Sequence, residues 1–435
     1  MSRAFFESWI ATSSIPFFMN QKTFSGIPSV ALVRCGWQTV NIGDIAHTPG
    51  ILRVLERHLP DTQLILWPGN FDHGVETLIR DRFPSVRFVY DAPQWQPAIS
   101  RPGDVSLATA FAEAQVLLHG PGPSLVAHRD ISRWINETGK PWGVLGVTLG
   151  SPVGNIDPRP EFPPALSELL NTASFVFTRE TKSLAAAREA GIRVPLGFMP
   201  DGTFALSDFG QGPQADELLK RYHLTADGFL CVVPRLRLTP YWRMHPERGY
   251  PESEIMAKDR FNAEHVERDL GKLRAAIVAW VRETGLRVFV CPEMSYQTDL
   301  FEPHILSPLP ADVRPHVAAL DRYWLPDEAA AVFARARLVL SIECHSPILA
   351  NAVGRPAIYL HQPQDTWKSQ MYPDLGLGEW ALPIETTTGE SVAEHVLAIH
   401  RNYPAALVTV AQAQDRAREA MARAATSLPA HLGKS

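Results

Sequence analysis

Short, unbroken apolar runs, each followed by a polar or glycine-containing loop and then a helical segment, recur along this 435-residue chain. In the first half they fall at 28–33, 63–67, 86–90, 114–118, 143–148 and 174–178. In the second they fall at 229–233, 287–290, 316–319, 338–341 and 357–360. Runs without polar alternation are buried on both faces, as in a parallel sheet covered by helices. The first helix is expected to begin near Thr48 and Pro49, because proline suits an opening turn. Others are expected at 75–83, 107–114, 126–138, 164–171, 182–190, 264–284, 327–336 and 347–353. A Gly-Phe-Met-Pro-Asp turn ends the first half, and a Gly/Pro/Asp-rich stretch at 207–214 reads as a linker. The pattern predicts an α/β chain of two doubly wound, Rossmann-like domains facing a cleft, residues 1–206 and 207–400. An Ala- and Arg-rich helix within 401–435 would pack back on the first domain. Ligands of such sheets bind beyond the carboxyl ends of the strands.

Composition narrows the function. Hydrophobic residues make up 45% and charged residues 20%, a globular balance that excludes a largely disordered chain. Lys+Arg 41 against Asp+Glu 46 leaves a net charge of −5, without the basic field that holds a nucleic-acid backbone. No apolar run reaches the roughly 18 residues of a bilayer span, which leaves peripheral membrane contact open. Cys35, Cys231, Cys291 and Cys344 lie too far apart for a zinc ribbon, and read as buried small hydrophobes. Residues 1–20 lack a cationic start and an apolar core, so no signal peptide is read there and a reducing cytoplasm is expected.

The loops after strands hold the candidate chemistry. Asn41-Ile42-Gly43-Asp44 follows the first: Gly43 permits close backbone approach, and Asp44 can cap the coming helix or deprotonate a hydroxyl. The loop His119-Gly120-Pro121-Gly122-Pro123 places two more glycines between strand and helix, without dinucleotide or P-loop spacing. Arg179 follows the strand at 174–178. Arg235 and Arg237 lie just past 229–233, where guanidinium groups suit a carboxylate or phosphate, although an ion pair would look the same. Glu293 and Glu343 stand at strand ends. His345 and Ser346 open a helix, whose dipole would lower the imidazole pKa. Lys368 lies in a further polar loop after 357–360.

Together these residues resemble the polysaccharide pyruvyl transferase family. The likeness rests on Asn41-Ile42-Gly43-Asp44, the glycine loop at Gly120 and Gly122, Thr178-Arg179-Glu180 with Pro200-Asp201, and Cys344-His345-Ser346 through Gly354-Arg355-Pro356. The resemblance implies a GT-B-like architecture. It also implies transfer of a pyruvyl group from phosphoenolpyruvate to two hydroxyls of one sugar, expected on a cell-surface glycan or its lipid-linked or nucleotide-linked precursor. The donor is then a substrate, and neither a cofactor nor a metal is expected. By resemblance His345 is the catalytic acid or base, and Arg235 or Arg237 the donor-binding arginine; Glu293, Glu343, Ser346 and Lys368, read from their loops, are expected beside the donor. Asp44 would orient or deprotonate the acceptor, near Asn41, Gly43, Gly120, Gly122 and Arg179.

One position departs from the family pattern. Glu343 stands where an arginine is usual, two residues before the histidine. A carboxylate would repel a trianionic donor by about 1–4 kcal/mol at ~4 Å. Two other readings therefore accompany pyruvyl transfer. One is a glycosyltransferase whose nucleotide-sugar hydroxyls bind Glu343 and Glu293. The other is a glycan-binding relative without turnover. The oligomeric state stays open.

Overall fold

The computed structural model describes residues 26–97, 101–150, 155–158 and 161–432; the expectation for residues 1–20 lies outside them. The first sheet contains β1 (Val30–Cys35), β2 (Gln63–Pro68), β3 (Arg87–Phe88), β4 (Val116–His119), β5 (Trp142–Val147), β6 (Phe175–Thr178) and β7 (Leu196–Phe198). Its order is β3-β2-β1-β4-β5-β6-β7, with every pair parallel. The second contains β8 (Phe229–Val233), β9 (Arg287–Val290), β10 (Val317–Ala319), β11 (Leu338–Ser341), β12 (Ala357–His361) and β13 (Ala381–Pro383). Its order is β10-β9-β8-β11-β12-β13, again all parallel. Each sheet reverses its winding direction beside its first strand, between β1 and β4 and between β8 and β11. Loops leaving those strands diverge and open a crevice. Two Rossmann-like sheets thus present their switch points to one another.

Several expected boundaries move. The edge strands β7 and β13 are only 3 residues each and largely half-buried, too short to give an apolar run. The first helix spans Ile42–His58, six residues earlier than expected. Asn41 caps it, its Oδ1 accepting from the backbone N–H of Gly43 at 2.7 Å and of Asp44 at 3.2 Å. Capping therefore belongs to Asn41 rather than Asp44, and Pro49 lies inside the helix. The helix expected at 264–284 begins twelve residues earlier, at Glu252, and ends at Thr284. Ser207–Gln211 forms a 3₁₀ turn with Phe209 buried, just before helix Gln214–Arg221.

The last helix, Tyr403–Leu432, buries Ala413, Ala417, Met421, Ala424 and Leu428 in the apolar cluster that holds Val33, Leu118 and Phe175 of the first sheet. The His431 ring lies 5.8 Å from that of Phe177. The same helix reaches the second half: Gln414 Nε2 donates to the carbonyls of Asn351 at 2.7 Å and Ala352 at 2.9 Å. It straps the two halves together.

Main-chain pairing joins the halves a second time. Asn41 and Met294 form an isolated antiparallel bridge. Ile42 N–H donates to the Glu293 carbonyl at 2.9 Å, and Ser295 N–H to that of Val40 at 3.0 Å. The loops after β1 and β9 are thereby fixed to each other.

Candidate active site

His345 begins helix His345–Ala352, directly beyond the switch-point strand β11. Glu293, from the loop after β9, accepts at Oε2 from Ser346 N–H at 2.6 Å and Ser346 Oγ–H at 2.8 Å. Its other oxygen, Oε1, lies 3.4 Å from His345 Nδ1, and Cys344 Sγ lies 3.3 Å from the same nitrogen. The opposite ring nitrogen faces the first domain. His345 Nε2 is 3.2 Å from His47 Nε2 and 3.7 Å from Asp201 Oδ2. His47 Nε2 is itself 3.1 Å from that Asp201 oxygen. Arg179, just past β6, completes the cluster, with Nη1 donating to Asp201 at 2.7 Å and Nε to Thr148 Oγ1 at 2.8 Å. His47 and Asp201 are fully buried, and His345 is 4% exposed.

Such burial raises the electrostatic stakes. For His345 burial alone pushes the pKa down, but Cys344, Asp201 and Glu293 outweigh it, so the imidazole lies well above its ordinary 6.5. This corrects the expectation that the helix dipole would keep it neutral. A helix N-terminus is worth about 0.3–1 kcal/mol, less than two carboxylates in a dry site. Burial would raise Asp201, yet His47, His345 and Arg179 hold it well below the usual carboxylate range. The centre thus presents an imidazolium backed by acids.

His47, Asp201 and His345 also offer three ligand atoms within 4.8 Å of one another, the density of a metal site. The Arg179 Nη1 lies 2.7 Å from the same Asp201 oxygen and 3.5 Å from His47 Nε2. A guanidinium already neutralises the carboxylate and would repel a divalent ion. Proton chemistry suits the cluster better.

A family model for polysaccharide pyruvyl transferase matches residues 41–361, from the Asn41 cap to the end of β12. The chain belongs to the polysaccharide pyruvyl transferase family. No curated protein matches it in sequence. Among solved structures it is similar to a UGT transferase from Siraitia grosvenorii in complex with UDP, at 12% identity over 93% of this chain and 100% of that one, TM-score 0.52. It is similar to Anabaena Alr3699/HepE in complex with UDP-glucose, at 12% identity over 93% and 98%, TM-score 0.52. S. aureus MnaA in complex with UDP gives 8% identity over 90% and 91%, TM-score 0.52. At these identities the likeness shows a shared two-domain GT-B-like fold. Among the described residues no helix is long and apolar enough to cross a membrane.

In this pyruvyl transferase family member the arginines after β8 are already engaged. Arg235 pairs with Asp365, and its Nε lies 3.3 Å from Glu343 Oε1. Arg237, 2% exposed, is held by Asp269 and Glu385. Glu343 Oε1 accepts from Gln297 Nε2 at 2.8 Å. Burial, reinforced by Glu293 and Asp365, overrides Arg235 and pushes the Glu343 carboxyl up to about 8. A carboxyl raised in this way carries less of the charge, and so of the repulsion, expected of an ordinary carboxylate. Lys368 adds positive potential to Glu343 and Asp365.

On the other wall, Asp44 lies on the helix face of His47, its Oδ1 3.8 Å from His47 Nδ1, and accepts from Gln38. Gly43 lies against His345. Gly120 makes room for Cys35, and Gly122 for the Trp37 indole, which donates to the Pro121 carbonyl at 2.6 Å. The fold thus gathers His345, Ser346, Glu293, Arg179, Gly43 and Asp44 around one junction and groups Arg235, Glu343 and Lys368 near Asp365. Arg237 stands apart, in its own ion-pair network. The sequence reading missed His47, because a helix starting at Thr48 leaves it in a loop. Its three-residue spacing from Asp44 was the available signal.

Proposed function

We propose that the protein is a glycan-modifying pyruvyl transferase that moves the pyruvyl group of phosphoenolpyruvate onto two hydroxyls of one sugar. Family membership supports this reading, and one observation carries it. An imidazole whose pKa Cys344, Asp201 and Glu293 hold well above its ordinary value stands at the junction of two facing α/β domains. The reaction needs such an acid. A proton from His345 adds to the donor methylene, which becomes a methyl group, and the first sugar hydroxyl bonds to the adjacent carbon. That hydroxyl's proton returns to the imidazole. The second hydroxyl then displaces phosphate, which leaves with the remaining proton. Positioned acid–base groups of this kind contribute about 10²–10⁴-fold. Arg235 and Lys368 would face the leaving phosphate, and Asp44 the acceptor.

A second reading is favoured by the pairing of Arg235 and Arg237 with carboxylates, which leaves little uncompensated charge for a trianionic donor. It is transfer from a nucleotide sugar, with Glu343 and Glu293 on donor hydroxyls. Phosphate release with phosphoenolpyruvate and UDP release with UDP-glucose, each measured with oligosaccharide acceptors, separate the two. Ligand at 100 times its dissociation constant stabilises a protein by about 2.7 kcal/mol, so thermal shifts report donor choice independently of turnover. Protection by UDP-glucose and none by phosphoenolpyruvate would overturn the first reading.

A further inference from the structure

His47 and His345 come from different domains, yet their rings meet edge-on at 76° with the two Nε2 atoms 3.2 Å apart. Imidazole nitrogens at that distance accommodate one proton between them. Two N–H groups would collide, and two lone pairs would repel. Several charged and polar groups stand around the two rings. Asp201 Oδ2 is 3.1 Å from His47 Nε2 and is compensated by Arg179. Asp44 stands 3.8 Å from His47 Nδ1. Glu293 and Cys344 flank His345 Nδ1. Tyr323 lies in the field of both Glu293 and Asp44. With both rings buried, little solvent screens a change in either one.

We propose that His47 is a positioning residue that shares a single proton with His345 across the domain junction, so that neither imidazole gains or loses a proton independently. Asp201 anchors the shared proton from the first domain. The inference rests on the proposed function only where it makes His345 the acid; the sharing holds whatever the donor. Its consequence is that His47, a residue of the first domain, adjusts the acid strength that Cys344, Asp201 and Glu293 give to His345 of the second.

The test is ¹⁵N-histidine NMR titration of the full chain, without substrate. In the wild type both rings should respond to the same two steps, since sites coupled by more than about 1 pK unit titrate as a pair. His47→Gln keeps an N–H for Asp201 but cannot share a proton, and should lower the His345 midpoint by about one pH unit or more. His345→Gln should in turn perturb the His47 titration, because coupling is reciprocal. Unchanged midpoints in both variants overturn the proposal. If a variant does not fold, the wild type decides: separate single-step titrations of the two rings overturn it as well. Turnover of phosphoenolpyruvate is measured on the same samples. Reciprocal shifts without turnover would sink the pyruvyl-transfer reading and uphold the shared proton.

Discussion

Gly43 and His345 touch across the domain junction so closely that a methyl group at position 43 would overlap Cβ, Cγ and Nδ1 of the imidazole. In an exposed helix, glycine to alanine stabilises by about 1 kcal/mol. Here the added carbon meets a ring held by Glu293 and the bridge at Asn41, and overpacking costs about 1–3 kcal/mol. Gly43→Ala should therefore lower the melting temperature and turnover together. A variant as stable and active as the wild type would show that the ring is free to retreat.

The pairing of Arg179 with Asp201 is fully buried. Breaking such a pair from one side strands a charge, at about 3–5 kcal/mol. Arg179→Met should lose stability on that scale in urea unfolding. A loss below about 1 kcal/mol, the range of exposed pairs, would contradict the burial described.

Two carboxyls make stability fall as pH rises. Burial pushes both Glu343 and Glu180 up to about 8 from an ordinary 4.5. Between those values the folded chain binds protons that the unfolded chain has released, so their contribution is favourable below about pH 4.5 and is lost toward pH 8. Glu343→Gln should flatten that decline. Urea midpoints at pH 5, 6.5 and 8 measure it, and an unchanged slope would mean that Glu343 is ionised throughout.

Replacing His345 with alanine should cut turnover by about 10²–10⁴-fold if it supplies the proton. Phosphate release under saturating donor checks this. Undiminished release would remove His345 from the reaction.

Much of the architecture was legible because eleven strands lie buried between helices and therefore read as plain apolar runs. β7 and β13 were hidden because each is three residues long, with one buried side chain between the two of them. The first helix was misplaced because Pro49 suggested a beginning, whereas Asn41, a stronger cap, lay eight residues earlier. At the site, His345, Glu293 and Arg179 could be picked out from their positions at strand ends. Their meeting with His47 and Asp201 depends on how two sheets face each other, and no local spacing encodes that. The Arg237 network was invisible for the same reason: Asp269 and Glu385 lie far off in sequence.

The backbone rungs linking Val40 and Ile42 to Glu293 and Ser295 work like the spine of a bound book. They lie beside His345, so the two covers cannot part there without tearing main-chain bonds. Sugar and donor must then enter and leave by a route away from those rungs, while the reacting imidazole keeps its place.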